Sequence, residues 1–294
     1  MQEKVELRIY KKYAHLILQP NEGKDLGLYV GVEISTNDPR FEKTRLLAEE
    51  IRKKYNDYFF LYSEIKRKYS KKELDTATLL HLKIKAVFEP TGEECGTLYD
   101  ESAACEICGA NRKQVGKLKL KKGSIPKKDI ARTIAGEVVV SERFATVFKQ
   151  RGLKGASLEP IILDKGTSNY YQLMATSELE LTMDTVAGVN IFDFSEGSEP
   201  TEFTVSGGHH VNIEKEVYKC PKGHTIGLNI LSELYVLRSP SINDYDFFSS
   251  KQKIGVKRGL LQPEPLYLCS PAFRKMVEEE KLSGFEFEIA HIIQ

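Results

Sequence analysis

The spacing of hydrophobic positions predicts a strand-rich chain. Val5, Leu7 and Ile9 alternate with polar residues, and further apolar runs follow at 16–18 and 28–32. When apolar residues recur at every second position, their side chains all lie on one face, as in a half-buried strand. The first 34 residues should therefore form two or three strands.

Two helices are predicted by their start signals. The pair Asp38–Pro39 is typical of a helix N-terminus, because Asp caps free N–H groups and Pro has no N–H to leave unpaired. Ser70 and Glu73 form a capping box that predicts a short helix through Leu79. Residues 82–88 then alternate as a half-buried strand that should lead directly into a cysteine-rich loop.

Two segments resemble each other at an offset of 129 residues. Residues 138–163 and 266–292 both contain an apolar strand, a serine, a helical pattern, a glycine and a second apolar run. Ser141 and Ser270 are the predicted helix N-caps. The agreement predicts a duplicated strand–helix–strand unit, with chance similarity as the alternative.

We therefore predict an α+β, strand-rich fold in two lobes. The first lobe is 1–135 and carries the cysteine loop, and the second is 136–294 with one repeated unit at each end. Between the units, apolar runs predict strands at 170–175, 179–183, 189–194 and 203–205, a strand or short helix at 226–237, and a helix start at Asn243.

Composition favours a cytoplasmic protein. The net charge is +1, but residues 1–130 carry +6 and the remainder −5. The N-terminus lacks the layout of a signal peptide, and no window approaches the roughly 18 apolar residues of a membrane span. Five cysteines, an odd number, favour metal ligation in a reducing compartment over disulfides.

The cysteines predict a structural zinc site. Cys105 and Cys108 form a C-x2-C turn followed by glycine, and Cys220 and His224 form a second compact element. Four such ligands fill the tetrahedral coordination of Zn²⁺ and leave no open position. Cys95 is the reserve ligand in place of His224. Unconnected free thiols are the alternative.

Other candidate chemistry is weaker. Cys269 lies in an apolar run and is expected to be a small buried residue. His209 and His210 follow two glycines and could be ligands or a base, although a turn entering a strand explains them without chemistry. The usual zinc-enzyme, P-loop, hydrolase and dinucleotide motifs are missing, which argues against an enzyme.

Residues 112–128 are strongly basic. The functional interpretation is a phosphate-contacting strip beside the zinc site, whereas the structural one is an edge strand with a solvated lysine face. The strip has no aromatic residues to stack on bases. Its central residues are Lys117, Lys119, Lys121 and Lys122.

The two cysteine elements and the repeated units resemble the bacterial double-CxxCG motif paralogous family and related immunity-type proteins of polymorphic toxin systems. The resemblance covers residues 105–109, 138–162, 220–224 and 266–292, although Cys-Pro-Lys-Gly-His stands where a second C-x-x-C-G is expected. It implies a non-enzymatic protein that neutralises a cognate toxin by masking its active surface.

Three functional hypotheses follow. An immunity-like protein would meet a basic toxin with its acidic half, around Glu278, Glu279 and Glu280, although that run also fits a solvated helix face. A zinc-ribbon protein would instead bind nucleic acid through the lysines of 112–128. A metal-dependent enzyme at His209 and His210 is the third.

Overall fold

The structure is a computed structural model that describes residues 1–166, 168–188, 191–192, 201–204, 210–213, 219–227 and 229–294. The fold is α+β and strand-rich, as predicted. The helices are α1 (Lys11–Ala14), α2 (Pro39–Tyr55), α3 (Lys71–Thr76), α4 (Glu142–Gln150) and α5 (Pro271–Glu279), with a 3-10 helix at Pro240–Asn243. The strands are β1 (Gln2–Tyr10), β2 (Lys24–Asp25), β3 (Tyr29–Ser35), β4 (Phe60–Lys68), β5 (Leu79–Ile84), β6 (Val87–Phe88), β7 (Leu98–Asp100), β8 (Lys113–Val115), β9 (Lys119–Leu120), β10 (Ile130–Thr133), β11 (Val138–Ser141), β12 (Ala156–Pro160), β13 (Ile162–Leu163), β14 (Tyr170–Ala175), β15 (Glu178–Leu179), β16 (Ala187–Gly188), β17 (Thr201–Thr204), β18 (His210–Ile213), β19 (Asn229–Ile230), β20 (Leu234–Leu237), β21 (Phe247–Ile254), β22 (Glu264–Cys269) and β23 (Phe285–Ile293).

The N-terminal part is an antiparallel sheet with the order β2-β3-β1-β4. Val5, Leu7 and Ile9 of β1 are fully buried, so the predicted alternation is confirmed. Ile51 of α2 packs into the same core. Helix α2 begins where the Asp38 side chain accepts a hydrogen bond from a first-turn N–H at 2.9 Å, as predicted. Each of these buried side chains contributes about 1.5–3 kcal/mol to folding.

Two further sheets share one topology. The first has the order β12-β14-β11-β10-β6, and the second contains the order β23-β5-β22-β21-β15 with β20 added beside β23. The pairs β10–β6 and β21–β15 are parallel, and the other equivalent pairs are antiparallel. The registers also match, since Glu159 pairs with Gln172 where Glu288 pairs with His81. The predicted duplication is therefore confirmed and extends beyond the segments that revealed it.

The two repeats exchange a strand. The first repeat consists of β5, β6, β10, β11, α4 and β12, and the second of β14, β15, β21, β22, α5 and β23. Strand β6 stays in the sheet of its own repeat, whereas β5 lies in the other sheet between β22 and β23. In the same way β15 stays with the second repeat and β14 joins the first sheet. Each sheet thus depends on both repeats.

The helices of the two repeats meet in one core. Ser141 and Ser270 cap α4 and α5 as predicted, accepting hydrogen bonds from the N–H groups of Phe144 and Phe273 at 3.1 and 3.2 Å. The rings of these two phenylalanines, with centroids 5.9 Å apart, are fully buried. Strands β5 and β22 pair with each other, although they lie on opposite sides of the predicted lobe boundary at residue 135. The boundary itself stays a prediction.

Several predicted elements differ from the structure. Residues 82–88 do not form one strand, because β5 and β6 belong to different sheets and the chain crosses between them. The helix after Ser70 ends at Thr76, since Leu79 already pairs in β5. Residues 16–18 form a turn rather than a strand, with the N–H of Leu18 donating to the carbonyl of Ala14.

The C-terminal predictions also need correction. Asn243 ends the 3-10 helix instead of starting an α-helix, and strand β21 follows. Residues 226–237 contain two short strands, β19 and β20, and residues 179–183 are strand only at their start, in β15. The predicted strand at 189–194 lies largely outside the described residues. For the strand predicted at 203–205, the structure has β17 at Thr201–Thr204, and residue 205 lies outside the described residues.

Candidate metal centre

The first ligand pair sits in a tight turn between β7 and β8. The N–H of Cys105 donates to the carbonyl of Ala110 at 2.7 Å, and the N–H of Gly109 donates to the carbonyl of Cys105 at 2.8 Å. Gly109 has φ +79°, a left-handed conformation that favours glycine. The N–H groups of Cys108 and Ile107 point at the Cys105 sulfur. The turn therefore aims both sulfurs to one side.

The second ligand pair sits in a smaller hairpin. The N–H of Cys220 donates to the carbonyl of His224 at 2.9 Å, and the N–H of Gly223 donates to the carbonyl of Cys220 at 2.7 Å. Gly223 has φ +85°, which closes the turn. Lys219 and Thr225 form an antiparallel bridge at its base.

The fold brings the four predicted ligands together. One ligand atom from each of Cys105, Cys108, Cys220 and His224 lies within 4.8 Å of every other. Nδ1 of His224 is 3.5 Å from the sulfurs of both Cys108 and Cys220. Zn–S and Zn–N bonds of about 2.3 and 2.0 Å at a tetrahedral angle require a sulfur–nitrogen separation of about 3.5 Å. These two distances are compatible with a tetrahedral metal site.

The three cysteines of the ligand group are buried. Cys105, Cys108 and Cys220 are 6%, 0% and 3% exposed, and none forms a disulfide. Burial, with the neighbouring thiols, raises the pKa of Cys108 to about 12. Burial acts in the same direction on Cys105, but the N–H groups of Cys108 and Ile107 lower its pKa overall. A bound cation would convert such buried thiols to thiolates.

A third segment and an amide complete the surroundings. The N–H of Lys257 donates to the carbonyl of Cys108 at 2.8 Å, and Val256 and Ile226 pack against the cysteines. The amide nitrogen of Asn111, Nδ2, lies 3.2 Å from Nε2 of His224. With Nδ1 bound to a metal, Nε2 carries the proton, and a half-turn of the Asn111 amide would bring its oxygen to the position that accepts this proton. No spacing pattern in the sequence points to Asn111 or Lys257, because contacts of this kind depend on the fold.

The ligand pairs come from equivalent places in the two repeats. Cys105 and Cys108 lie in the insertion after β6, and Cys220 and His224 lie in the insertion after β15. A metal ion here would join the two insertions.

The remaining cysteines lie elsewhere. Cys95 is outside the ligand group, in a turn where its N–H donates to the carbonyl of Thr91 at 3.2 Å. Burial raises the pKa of its thiol, whereas the backbone of Lys121 acts in the opposite direction. Cys269 is fully buried in the core shared by the repeats, as predicted.

The basic strip is an exposed lysine face over a buried leucine row. Leu118 and Leu120 are each 1% exposed, and the lysines between and beyond them face solvent. Strand β9 pairs in parallel with β13. Within the described part of the chain, no ion pair involves Lys117, Lys119, Lys121 or Lys122.

The acidic run is bound to cations of the same chain. Glu278 pairs with Arg274 at 2.6 Å, and Glu279 and Glu280 pair with Arg151 at 2.7 and 2.6 Å. The Glu278 contact lies within α5, whereas the two Arg151 contacts join the end of α5 to the end of α4.

The paired histidines are only partly described. His209 lies outside the described residues, and His210 begins strand β18, where its backbone pairs with Thr204. No helix in the described ranges is long and apolar enough to cross a membrane. No protein-family model and no curated protein matches the chain.

Proposed function

We propose that this chain is a non-enzymatic binding protein stabilised by one structural Zn²⁺. The observation that carries the proposal is the 3.5 Å distance from Nδ1 of His224 to the sulfurs of Cys108 and Cys220. Three thiolates and one imidazole suit zinc better than calcium or magnesium, which prefer oxygen ligands. Four protein ligands leave no position for a substrate, so the ion would act on folding.

Metal analysis tests this first step. Purified protein should contain one zinc per chain, and Cys108→Ser and His224→Gln should lose it. Cys95→Ser is the matched control, because that thiol lies outside the ligand group. Metal-free wild-type protein, or equal zinc loss in the control, would contradict the proposal.

The proposed partner is a cognate protein toxin. Support comes from the resemblance to double-CxxCG and immunity-type proteins. The glutamates at 278–280 remain 34–47% exposed despite their ion pairs. They could therefore also contact a basic partner, with electrostatic complementarity setting the association rate.

Co-purification from the native host at moderate salt, followed by inhibition of the isolated partner's activity, tests this role. A Glu279→Lys/Glu280→Lys variant should bind more slowly, whereas Glu42→Lys, on helix α2, should not. Failure to inhibit any bound partner would reject the immunity role and leave the zinc site unaffected.

The alternative is nucleic-acid binding by Lys117, Lys119, Lys121 and Lys122. The lack of ion pairs for these lysines within the described chain favours an external anion. Fluorescence anisotropy with single- and double-stranded DNA and RNA at several salt concentrations should then show a steep salt dependence. Lys119→Glu/Lys121→Glu should remove the binding, and absence of binding at low salt rejects the alternative.

A further inference from the structure

Asn111 directly follows the hydrogen-bonded turn of residues 105–110, and its backbone is left-handed. Its φ is +72°, a conformation that glycine adopts freely and that asparagine tolerates better than most other residues. The preceding residue, Ala110, is 2% exposed, and its carbonyl accepts the N–H of Cys105 at 2.7 Å. The turn that holds two of the metal ligands therefore also fixes the position of Asn111.

The side chain of Asn111 reaches the second ligand turn. Its Nδ2 lies 3.2 Å from Nε2 of His224, which is 113 residues further along the chain. Within the described chain, neither the Asn111 amide nor this ring nitrogen has another hydrogen-bond partner. Because Nδ1 of the same ring lies 3.5 Å from the sulfurs of Cys108 and Cys220, the ring is held between two sulfurs and one amide.

An amide suits this position because it carries both a donor and an acceptor. When no ion is bound, Nδ1–H donates to a sulfur and Nε2 accepts from the amide nitrogen. When Nδ1 is bound to zinc, Nε2 carries the proton, and the amide oxygen accepts it after a half-turn of the amide. One side chain thus provides a partner for both tautomers of the imidazole.

We propose that Asn111 is a positioning residue of the metal centre, which holds the His224 ring with Nδ1 toward the ion. The inference rests on the proposed zinc site and adds the residue that selects the ligating nitrogen. It also explains an asparagine at a left-handed position, where glycine would satisfy the backbone without strain.

The effect on metal binding should be moderate. The outer hydrogen-bond partner of a ligating histidine contributes about 10- to 100-fold to metal affinity. Asn111 is exposed, so water competes for the contact. We therefore expect a contribution of about tenfold, at the lower end of that range.

The variant Asn111→Gly separates the amide from the backbone, because glycine keeps the left-handed conformation and removes the side chain. Its zinc affinity, measured by competition with a chromophoric chelator, should fall about tenfold. Asn111→Asp keeps an acceptor oxygen and should bind zinc at least as tightly as the wild type. Asn21→Gly is the control for the backbone change, since Asn21 has φ +67° and lies outside the ligand group.

A second measurement reports on the ring itself. ¹⁵N NMR of the His224 side chain in zinc-loaded protein should show the metal at Nδ1 and a proton at Nε2. In Asn111→Gly this proton should exchange faster with water, because its acceptor is missing. A role of Asn111 in the backbone alone would leave the exchange rate unchanged.

Three results would overturn the positioning role while leaving the zinc site intact. They are unchanged zinc affinity in Asn111→Gly, an equal loss in Asn111→Asp or Asn21→Gly, and an ion bound at Nε2 of His224. Absence of zinc from the wild-type protein would overturn the zinc site and this inference together, so the two failures are distinguishable.

Discussion

Asp129 of the first repeat accepts two hydrogen bonds from Ser283 of the second, from its N–H at 2.8 Å and its hydroxyl at 3.0 Å. The equivalent carboxylate, Asp246, accepts from the N–H of Lys154 in the first repeat at 3.0 Å. Each aspartate also accepts from the N-cap serine of its own repeat. The repeats therefore lock each other through matching contacts, in addition to the strand they exchange.

The glycines beside these contacts should be intolerant of a side chain. Gly155 and Gly284 have φ of +100° and +102°, and a Cβ atom would clash with the backbone carbonyls of Phe247 and Ile130, respectively. We expect Gly155→Ala and Gly284→Ala each to lower the free energy of unfolding by about 3 kcal/mol or more, because strain and overpacking add. Urea denaturation measures this.

Gly152→Ala is the control for backbone strain alone. Its φ is +67°, and nothing lies within 4 Å of an added Cβ. We expect a loss of about 1–2 kcal/mol. Equal losses at all three positions would show that conformation, and not close packing between the repeats, determines the requirement for glycine.

Metal removal should loosen the two insertions before the sheets. Cys105 and Cys220 donate N–H bonds inside their own turns, whereas Val140 and Leu268 lie in sheet cores away from the ligands. After chelation, hydrogen exchange should accelerate at 104–111 and 219–226, with β11 and β22 still protected. Simultaneous loss of protection in the sheets would show that the ion supports the whole fold.

The sequence predicts the local features of this fold better than its connections. Local features depend on residues that are neighbours in the sequence, so the sequence alone predicts them. Examples are the alternation of Val5, Leu7 and Ile9 and the helix caps at Ser141 and Ser270. The exchange of strands cannot be predicted from the sequence. Ile84 and Val87 continue one alternating pattern of apolar and polar residues, yet they lie in different sheets.

In the candidate metal site, too, the sequence predicts local features but not contacts between distant segments. The C-x2-C turn identifies Cys105 and Cys108 from spacing alone, and Cys220 and His224 share a second turn. The contact of Asn111 with His224 joins segments that lie 113 residues apart in the chain. No local pattern encodes such contacts.

The basic strip should depend on its leucines for stability. Leu118 is 1% exposed and belongs to a core with Leu120 and Ile161. Leu118→Ala should lower the free energy of unfolding by about 2–5 kcal/mol, whereas the exposed Lys117→Ala should change it little. Thermal unfolding compares the two. A larger loss of stability in Lys117→Ala than in Leu118→Ala would mean that the charge of the lysines, and not the buried leucines, stabilises the basic strip.

Acid should weaken the fold through Glu288. This carboxylate is 4% exposed, with Nζ of Lys83 at 3.1 Å and His81 and Arg67 at 3.7 Å. Burial acts to raise its pKa, but His81 and Lys83 outweigh burial and hold the pKa at about 2. Its pKa in the unfolded chain is about 4.3. Because the folded pKa is the lower one, the stabilisation is complete above about pH 5 and is lost as the pH falls toward 2.

Glu288→Gln should therefore lower the free energy of unfolding most at neutral pH. A difference of about two pKa units corresponds to about 3 kcal/mol at pH 7, falling to about 1 kcal/mol at pH 3. Urea denaturation of the wild type and the Glu288→Gln variant between pH 7 and 3 measures the difference in their free energies of unfolding. Loss of a bound metal in acid would affect both proteins equally and would cancel in this difference. Glu286→Gln is the control, because Glu286 is 38% exposed and pairs with Lys85 at the surface. If the Glu288→Gln difference stays constant from pH 7 to 3, the ionised carboxylate does not stabilise the fold as described.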